Sequence, residues 1–238
     1  QGIDKVYVLS VKTFEDRITH ISNELAKHQI DFEFIFDHDV DDIKESDLAI
    51  FAPSNMQLAH QSLVLKNIRT WEKITKENIG KALILEDDAI LNEDFREEVT
   101  KIVQHAKVLP PGYLIFLGGA DTKLPAEFLD YPEPLVPRRM TTADGFIIDN
   151  HMAKKRLEWL QENLIVLPAD GLMCKIDSDL NLPHYWPKKS IVQQASCTGQ
   201  FKTTLDDSRS KHSLTYIKLR YHWHKFKNQS FKRWIKKV

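Results

Sequence analysis

The sequence predicts an α/β protein with a mostly parallel central sheet flanked by helices. Three observations predict it. Apolar runs of strand length recur along the chain, among them Val6-Tyr7-Val8-Leu9-Ser10-Val11, Ala82-Leu83-Ile84-Leu85 and Tyr113-Leu114-Ile115-Phe116-Leu117. Between them lie stretches whose apolar residues recur every three or four positions, as in helices that lay one face on a sheet. The runs are continuous rather than alternating, as in strands covered on both faces, and they stop abruptly at carboxylates or glycines.

Each element follows in order. The first strand feeds a helix carrying Ile18, Ile21, Leu25 and Ala26. A short strand, Phe32 to Phe36, runs into Asp37-His38-Asp39-Val40-Asp41-Asp42, and residues 56 to 75 show a longer helical pattern that Gly80 is expected to stop. After the Ala82 strand come a helix from Phe95 to Val108, a turn at Pro110-Pro111-Gly112 and the Tyr113 strand, stopped by Gly118-Gly119. Asp121 to Arg139 holds four prolines and is expected to be an irregular loop over the sheet. Gly145 to Asp149 reads as a strand, Ala153 to Leu160 as a helix, and Leu164 to Ala169 as an apolar strand that places Asp170 just after it.

A chain of 238 residues, 42% hydrophobic, can bury the core of one principal domain. It holds no apolar run of the roughly 20 residues that span a bilayer and no secretory leader, so a soluble or peripheral protein is expected. Cys174 and Cys197 are the two cysteines, and neither belongs to a CxxC pair; a reducing, cytoplasmic setting is the simpler expectation. Residues 202–238 carry a balance of +9, while residues 1–201 carry −10. The chain therefore divides into an acidic body, 1–201, and a basic, aromatic tail, 202–238, that is expected to form a helix on an anionic membrane surface. A solvated helix covering the body is the plainer alternative for the tail.

The chemistry concentrates at Glu86-Asp87-Asp88. Ligands of open α/β sheets bind at the carboxyl ends of the strands, and three adjacent carboxylates there call for a cation. Side chains alternate along an extended chain, so Glu86 and Asp88 face one side and Asp87 the other. Asp88 is the first choice of direct ligand and Glu86 the second, with hard oxygen donors suited to Mn²⁺ or Mg²⁺ and to the phosphates of a nucleotide-sugar. The alternative is a solvated acidic turn that starts the next helix. Asp37, Asp39 and Asp41 have the spacing of a calcium loop, but Asp42 and Leu48 stand where glycine and glutamate are required, which excludes calcium.

Several segments, in order, resemble the bacterial lipopolysaccharide and lipo-oligosaccharide glycosyltransferases of family 25, many of them β-galactosyltransferases. They are Val6 to Val11 with Asp16-Arg17, Trp71-Glu72-Lys73-Ile74, Ala82 to Ala89, Phe116-Leu117-Gly118, Thr142 to Ile148 and Pro168-Ala169-Asp170. The resemblance implies the single-domain GT-A fold, a metal-dependent carboxylate motif, inversion at the sugar carbon and UDP-galactose as donor. It departs at Ala59-His60-Gln61-Ser62-Leu63 and Lys66-Asn67, where the family commonly has Gly-Glu-x-Gly-Cys running to Ser-His.

Inversion needs a base for the acceptor hydroxyl. Asp170 is the first candidate and Asp144 the second, and either could instead cap a helix or shape a turn. Arg17 is placed to contact base or phosphate, or to form a surface ion pair; Asp39 is placed to meet the uridine, and Glu86 and Asp87 to face the nucleotide. His184, within Pro183-His184-Tyr185-Trp186-Pro187, is a candidate late metal ligand or a wall for the acceptor sugar. Ser190 to Ser196 resembles the family's closing segment without assigned chemistry. The expected partners are a nucleotide-sugar donor, an oligosaccharide or lipid-linked acceptor, and the inner face of the cytoplasmic membrane. A nucleotidyltransferase shares this chemistry, but Ser10 to Arg17 lacks the glycine-rich loop such enzymes use. A nucleic-acid-binding protein is disfavoured by the acidic body and the lack of a binding motif.

Overall fold

The computed structural model describes residues 2–125, 128, 130–139, 144–198, 201 and 212–227. Its elements are β1 (Lys5–Leu9), α1 (Glu15–Lys27), β2 (Glu33–Ile35), a 3-10 turn (Val40–Asp42), α2 (Glu45–Leu48), α3 (Leu58–Lys76), β3 (Lys81–Glu86), β4 (Ala89–Leu91) and α4 (Phe95–Ala106). There follow β5 (Leu114–Phe116), α5 (Ala120–Lys123), β6 (Leu135–Pro137), β7 (Gly145–Asp149), α6 (Asn150–Leu160) and α7 (Ala169–Asp179). The last are β8 (His184–Pro187), β9 (Val192–Gln194), α8 (Ala195–Thr198) and α9 (Leu214–Phe226).

Seven strands form one sheet in the order β2-β1-β3-β7-β5-β8-β6, and β4 pairs with β9 in a separate ribbon. β1 is parallel to β2 and β3, and β5 to β8, while β7 is antiparallel to β3 and β5, and β6 to β8. Five of the seven strands therefore point one way, and their carboxyl ends share one edge, at which the reversed β7 begins.

Alternation along the strands feeds two cores. Tyr7, Leu9, Ala82 and Ile84 face the layer of α3, α6 and α7 with Trp71, Met152 and Ile176. Val6, Val8, Leu83 and Leu85 face α1 and α4 with Ile21, Leu25, Phe95 and Val103. Both faces are covered, which accounts for the unbroken apolar runs. Trp71 is fully buried, so truncating it to alanine costs about 3–5 kcal/mol.

Three expectations are corrected. The proline-rich 121–139 segment contains the end of α5 and an edge strand, β6, with further residues of it outside those described. Pro137 is tolerated because β6 is the last strand, where a missing N–H breaks no ladder. Leu164 to Ala169 is not a strand: it makes one bridge, Ile165 to Phe51, while Leu164 and Val166 are exposed, and Pro168 opens α7. Asp170 therefore sits in the first turn of a helix. Finally, α3 ends before Gly80, where Asn78 at φ 51° turns the chain.

The tail forms α9 over Leu214–Phe226, opened by Ser213, whose Oγ accepts from the Tyr216 N–H at 3.2 Å. It packs on α8 and α5, with Ile217 buried. The boundary at 202, residues 202–211 and residues 228–238 lie outside the described residues. Among the described residues no helix is long and apolar enough to cross a membrane, and Cys174 and Cys197 form no disulfide.

Candidate active site

The shared strand edge gathers Ser10 after β1, the Asp37–Asp42 loop after β2, Glu86-Asp87-Asp88 after β3, Gly118-Gly119 after β5, and Asp144 before β7. The three adjacent carboxylates go separate ways. Asp87 turns toward β1 and α1, where Ser10 Oγ donates to its Oδ2 at 2.8 Å and Arg17 Nη1 to its Oδ1 at 2.9 Å. Glu86 and Asp88 turn toward the β9–α8 segment. Gln194 Nε2 donates to Glu86 Oε2 at 2.6 Å, and the Ser196 N–H donates to Asp88 Oδ2 at 3.2 Å. The Ala195 N–H also donates to the Asp88 backbone oxygen at 2.8 Å.

Asp88 is 2% exposed, and its Oδ1 has no hydrogen-bond partner. A buried carboxylate oxygen left unpaired costs free energy unless a cation or donor meets it. Around it stand the carboxyl groups of Glu86, Asp87, Asp144 and Asp170. Burial, and then the charges of Asp88, Asp170 and Asp87, hold the Glu86 carboxyl well above the usual carboxylate range. Burial raises Asp87 too, against the pull of Arg17 and Ser10. Burial also pushes Asp144 up to about 7, with Asp88 and Asp170 adding to the rise and Lys123 opposing it. Among the described residues no three carboxylate, imidazole or thiolate groups converge closely enough to enclose a metal on their own. Asp88 and Glu86 nonetheless fit the divalent ion of a nucleotide site, which takes one or two carboxylates and fills its other positions with phosphate and water oxygens.

Asp144 is 4% exposed and leans over Gly118, where a Cβ would lie 1.9 Å from its Oδ2. The glycine is required by this close approach. Asp170, half-buried at the start of α7, acts electrostatically on both Glu86 and Asp144.

The helix α1 holds the acidic turn along one face. Arg17 meets Asp87, His20 Nε2 donates to the Ala89 carbonyl at 2.9 Å, and Glu24 Oε2 accepts from the Leu91 N–H at 2.9 Å. At spacings of three and four residues these three share a face, so a single rigid helix sets the course of residues 87–91.

Asp39 is fully engaged. Its Oδ1 pairs with Lys66 Nζ at 2.6 Å and its Oδ2 accepts from the Lys12 N–H at 2.9 Å. Lys66 Nζ also donates to the Asp37 carbonyl at 2.8 Å, and Ser62 Oγ to the His38 carbonyl at 2.6 Å. The residues at which the chain departs from the family pattern thus fasten the loop after β2. Burial pushes the Lys66 ammonium down despite Asp39.

His184 is corrected as a metal ligand. Its register partner Leu114 pairs with Ile148, which pairs with Ala82, so His184 lies level with the start of β3. That is roughly 13 Å along the strands and roughly 14 Å across the sheet from Glu86, far beyond a coordination bond. Nor can it wall an acceptor: its side chain is 0% exposed, with Nε2 2.7 Å from Asp177 Oδ2, and Asp177 also takes Arg156 Nε and Nη2 at 2.9 and 2.5 Å. The His184–Asp177–Arg156 group is a buried structural network.

Sequence reasoning missed Ser10, Gln194 and Ser196. Ser10 follows a strand end and had a local signal. Gln194 and Ser196 reach Glu86 and Asp88 only because β9 pairs with β4, more than a hundred residues earlier.

Fold and site together define an α/β enzyme whose acidic centre lies at the carboxyl ends of parallel strands. The profile of glycosyltransferase family 25, described as LPS biosynthesis protein, matches residues 3–131, a little over half of the chain, and includes Arg17, Asp39 and Glu86 to Asp88. The chain belongs to this family and is a glycosyltransferase. None of the curated proteins compared with it matches. Among solved structures, mouse xyloside xylosyltransferase 1 in its apo form is similar at 13% identity and a TM-score of 0.39, covering 74% of this chain and 81% of that one.

Proposed function

We propose that the protein is a metal-dependent, inverting hexosyltransferase of the GT-A type that moves galactose from UDP-galactose onto a lipopolysaccharide or lipo-oligosaccharide acceptor. In this reading it works at the inner face of the cytoplasmic membrane, reached through its basic tail. The observation that carries the metal site is Asp88 Oδ1, buried and unpaired among carboxylates. Asp88 and Glu86 would hold Mn²⁺ or Mg²⁺. Such an ion, when bound, engages diphosphate oxygens and offsets the charge that develops as UDP departs.

The remaining work falls to the chain. Arg17 and Ser10 hold Asp87, so the backbone between Glu86 and Asp88 is fixed and both side chains turn to the β9–α8 segment. Asp170, half-buried and so within reach of an acceptor, takes the proton from the acceptor hydroxyl as its oxygen bonds to the anomeric carbon and the carbon–oxygen bond to the diphosphate breaks. Asp170 lies within electrostatic range of Glu86 and Asp144, so the three carboxyl groups belong to one part of the site. The loop held by Lys66 and Asp39 shapes the side of the site next to β1 and β2, where the nucleoside would lie.

The test is a transfer assay with UDP-, GDP- and CMP-sugars, with and without Mn²⁺, on a truncated lipo-oligosaccharide, with products read by mass spectrometry. Transfer from UDP-galactose that requires Mn²⁺ supports the reading. Transfer from a CMP-sugar, or undiminished transfer in chelator, overturns it.

A further inference from the structure

The helix α9 has two opposed faces. Leu214, Ile217 and Tyr221 turn toward the body, where the helix packs on α8 and α5. The other side carries Tyr216, Leu219, Trp223 and Phe226, which are 48, 66, 61 and 50% exposed. At about 100° per residue these four fall within an arc of roughly 80°, diametrically opposite the docked face. Arg220 and Lys227 border the stripe on one side and His222, then Lys218, on the other, all of them exposed.

We propose that this stripe is the face by which the protein sits on an anionic lipid surface. Leu219, Trp223 and Phe226 enter the boundary between headgroups and acyl chains, and the flanking cations meet lipid phosphate. The inference deepens the membrane contact of the proposed function by assigning the residues and orientation, and it does not depend on which sugar is moved.

Charge selects the surface. The helix carries Lys218, Arg220 and Lys225, followed by Lys227, and no acidic residue, so an anionic plane attracts it. The order of side chains selects a lipid over other anions. Nucleic acid calls for cations at the centre of the contact, whereas here the centre is apolar and aromatic and the cations are marginal, as in helices lying in an interface. A second protein is disfavoured by size, since four partly exposed side chains fall well short of the roughly 800 Å² per partner of a stable interface.

The placement has a consequence for catalysis. The helix rests on α8, whose first residue, Ala195, donates its N–H to the Asp88 carbonyl. The lipid face and the acidic centre are thus separated by α9 and α8 together, on the order of 20 Å. A sugar at the end of a lipid-linked oligosaccharide of that length would meet the site from the surface.

The test is cosedimentation of the full chain with phosphatidylethanolamine–phosphatidylglycerol vesicles and with phosphatidylcholine vesicles. Binding to the anionic vesicles should weaken roughly tenfold or more in Leu219→Asn/Trp223→Asn. Arg220→Gln/Lys227→Gln should lose only the preference for anionic lipid. Because Leu219, Trp223, Arg220 and Lys227 are all exposed, circular dichroism and melting temperature should be unchanged in both, which separates lost contact from lost fold. The inference is overturned if the parent ignores anionic vesicles, if the double asparagine variant binds them equally well, or if the parent is a dimer that this variant renders monomeric. A UDP-sugar thermal shift on the same samples keeps the outcomes apart, since it reports on the donor site whichever way lipid binding falls.

Discussion

Arg17 and Asp87, seventy residues apart in the chain, form an ion pair of 2.9 Å whose side chains are only 15% and 7% exposed. The guanidinium also lies 5.5 and 5.8 Å from the ring centres of Phe14 and Phe201. The middle carboxylate of the acidic cluster is thereby a structural anchor, and its two neighbours turn the other way, to Gln194 and Ser196. Arg17→Ala strands a buried charge and should cost about 3 kcal/mol in denaturant unfolding, while Arg17→Lys, which keeps the charge without the fork, should recover part of it. In kinetics the alanine variant should lose kcat more than donor KM, because it disturbs the course of the acidic turn.

Gly118→Ala would put a methyl 1.9 Å from Asp144 Oδ2 and so drive that carboxylate out of its place. Transfer should fall by about a hundredfold, the effect of displacing groups around a reacting centre by an ångström. Melting temperature should move by only a few degrees.

Asp144 makes stability depend on pH in a defined direction. Its folded pKa of about 7 stands above the ordinary 3.8, so the folded state holds a proton that the unfolded chain releases. The stabilisation from that proton is complete below about 3.8 and is lost as pH rises to about 7, on the order of 1 kcal/mol per pH unit. Asp144→Asn removes the titration. Denaturation profiles between these limits should fall less steeply with pH in the variant than in the parent.

The buried network on the far side of the sheet supplies the contrast. Burial alone would raise Asp177, but Arg156 and His184 hold its carboxyl below the usual carboxylate range. Its contribution is therefore present above the unfolded pKa of about 3.8 and lost as pH falls below it. Asp177→Asn should cost about 3–5 kcal/mol, since it leaves Arg156 buried beside Trp71 without its countercharge. The protein that remains folded should transfer sugar at the parent's rate and bind Mn²⁺ as before, which a metal-ligand role for His184 would not allow.

Much of this architecture is legible locally. Strands buried on both faces announce themselves as unbroken apolar runs, and β3 ends on Glu86 and β5 just before Leu117-Gly118. The separation of Asp87 from Glu86 and Asp88 follows from alternation along an extended chain. What the sequence hides is whatever depends on distant pairing. His184 and Asp88 are both polar residues at strand ends, and only the register through Leu114, Ile148 and Ala82 shows that they lie at opposite ends of the sheet. The Leu164 run misleads because Ile165 alone is buried, as one bridge to Phe51, and the proline that follows starts a helix. Gln194 carries no signal of its role, since only the pairing of β9 with β4 brings it to Glu86.

The central claim is a donor site that depends on Asp88 and a divalent ion, and a thermal-shift titration with UDP-galactose tests it most directly. With Mn²⁺ present, ligand at a hundredfold excess over Kd should add about 2.7 kcal/mol of stability, seen as a rise in melting temperature. The account expects that rise in the parent only when Mn²⁺ is present, and expects none in a folded Asp88→Ala variant. An equal rise without Mn²⁺, or in Asp88→Ala, would contradict it.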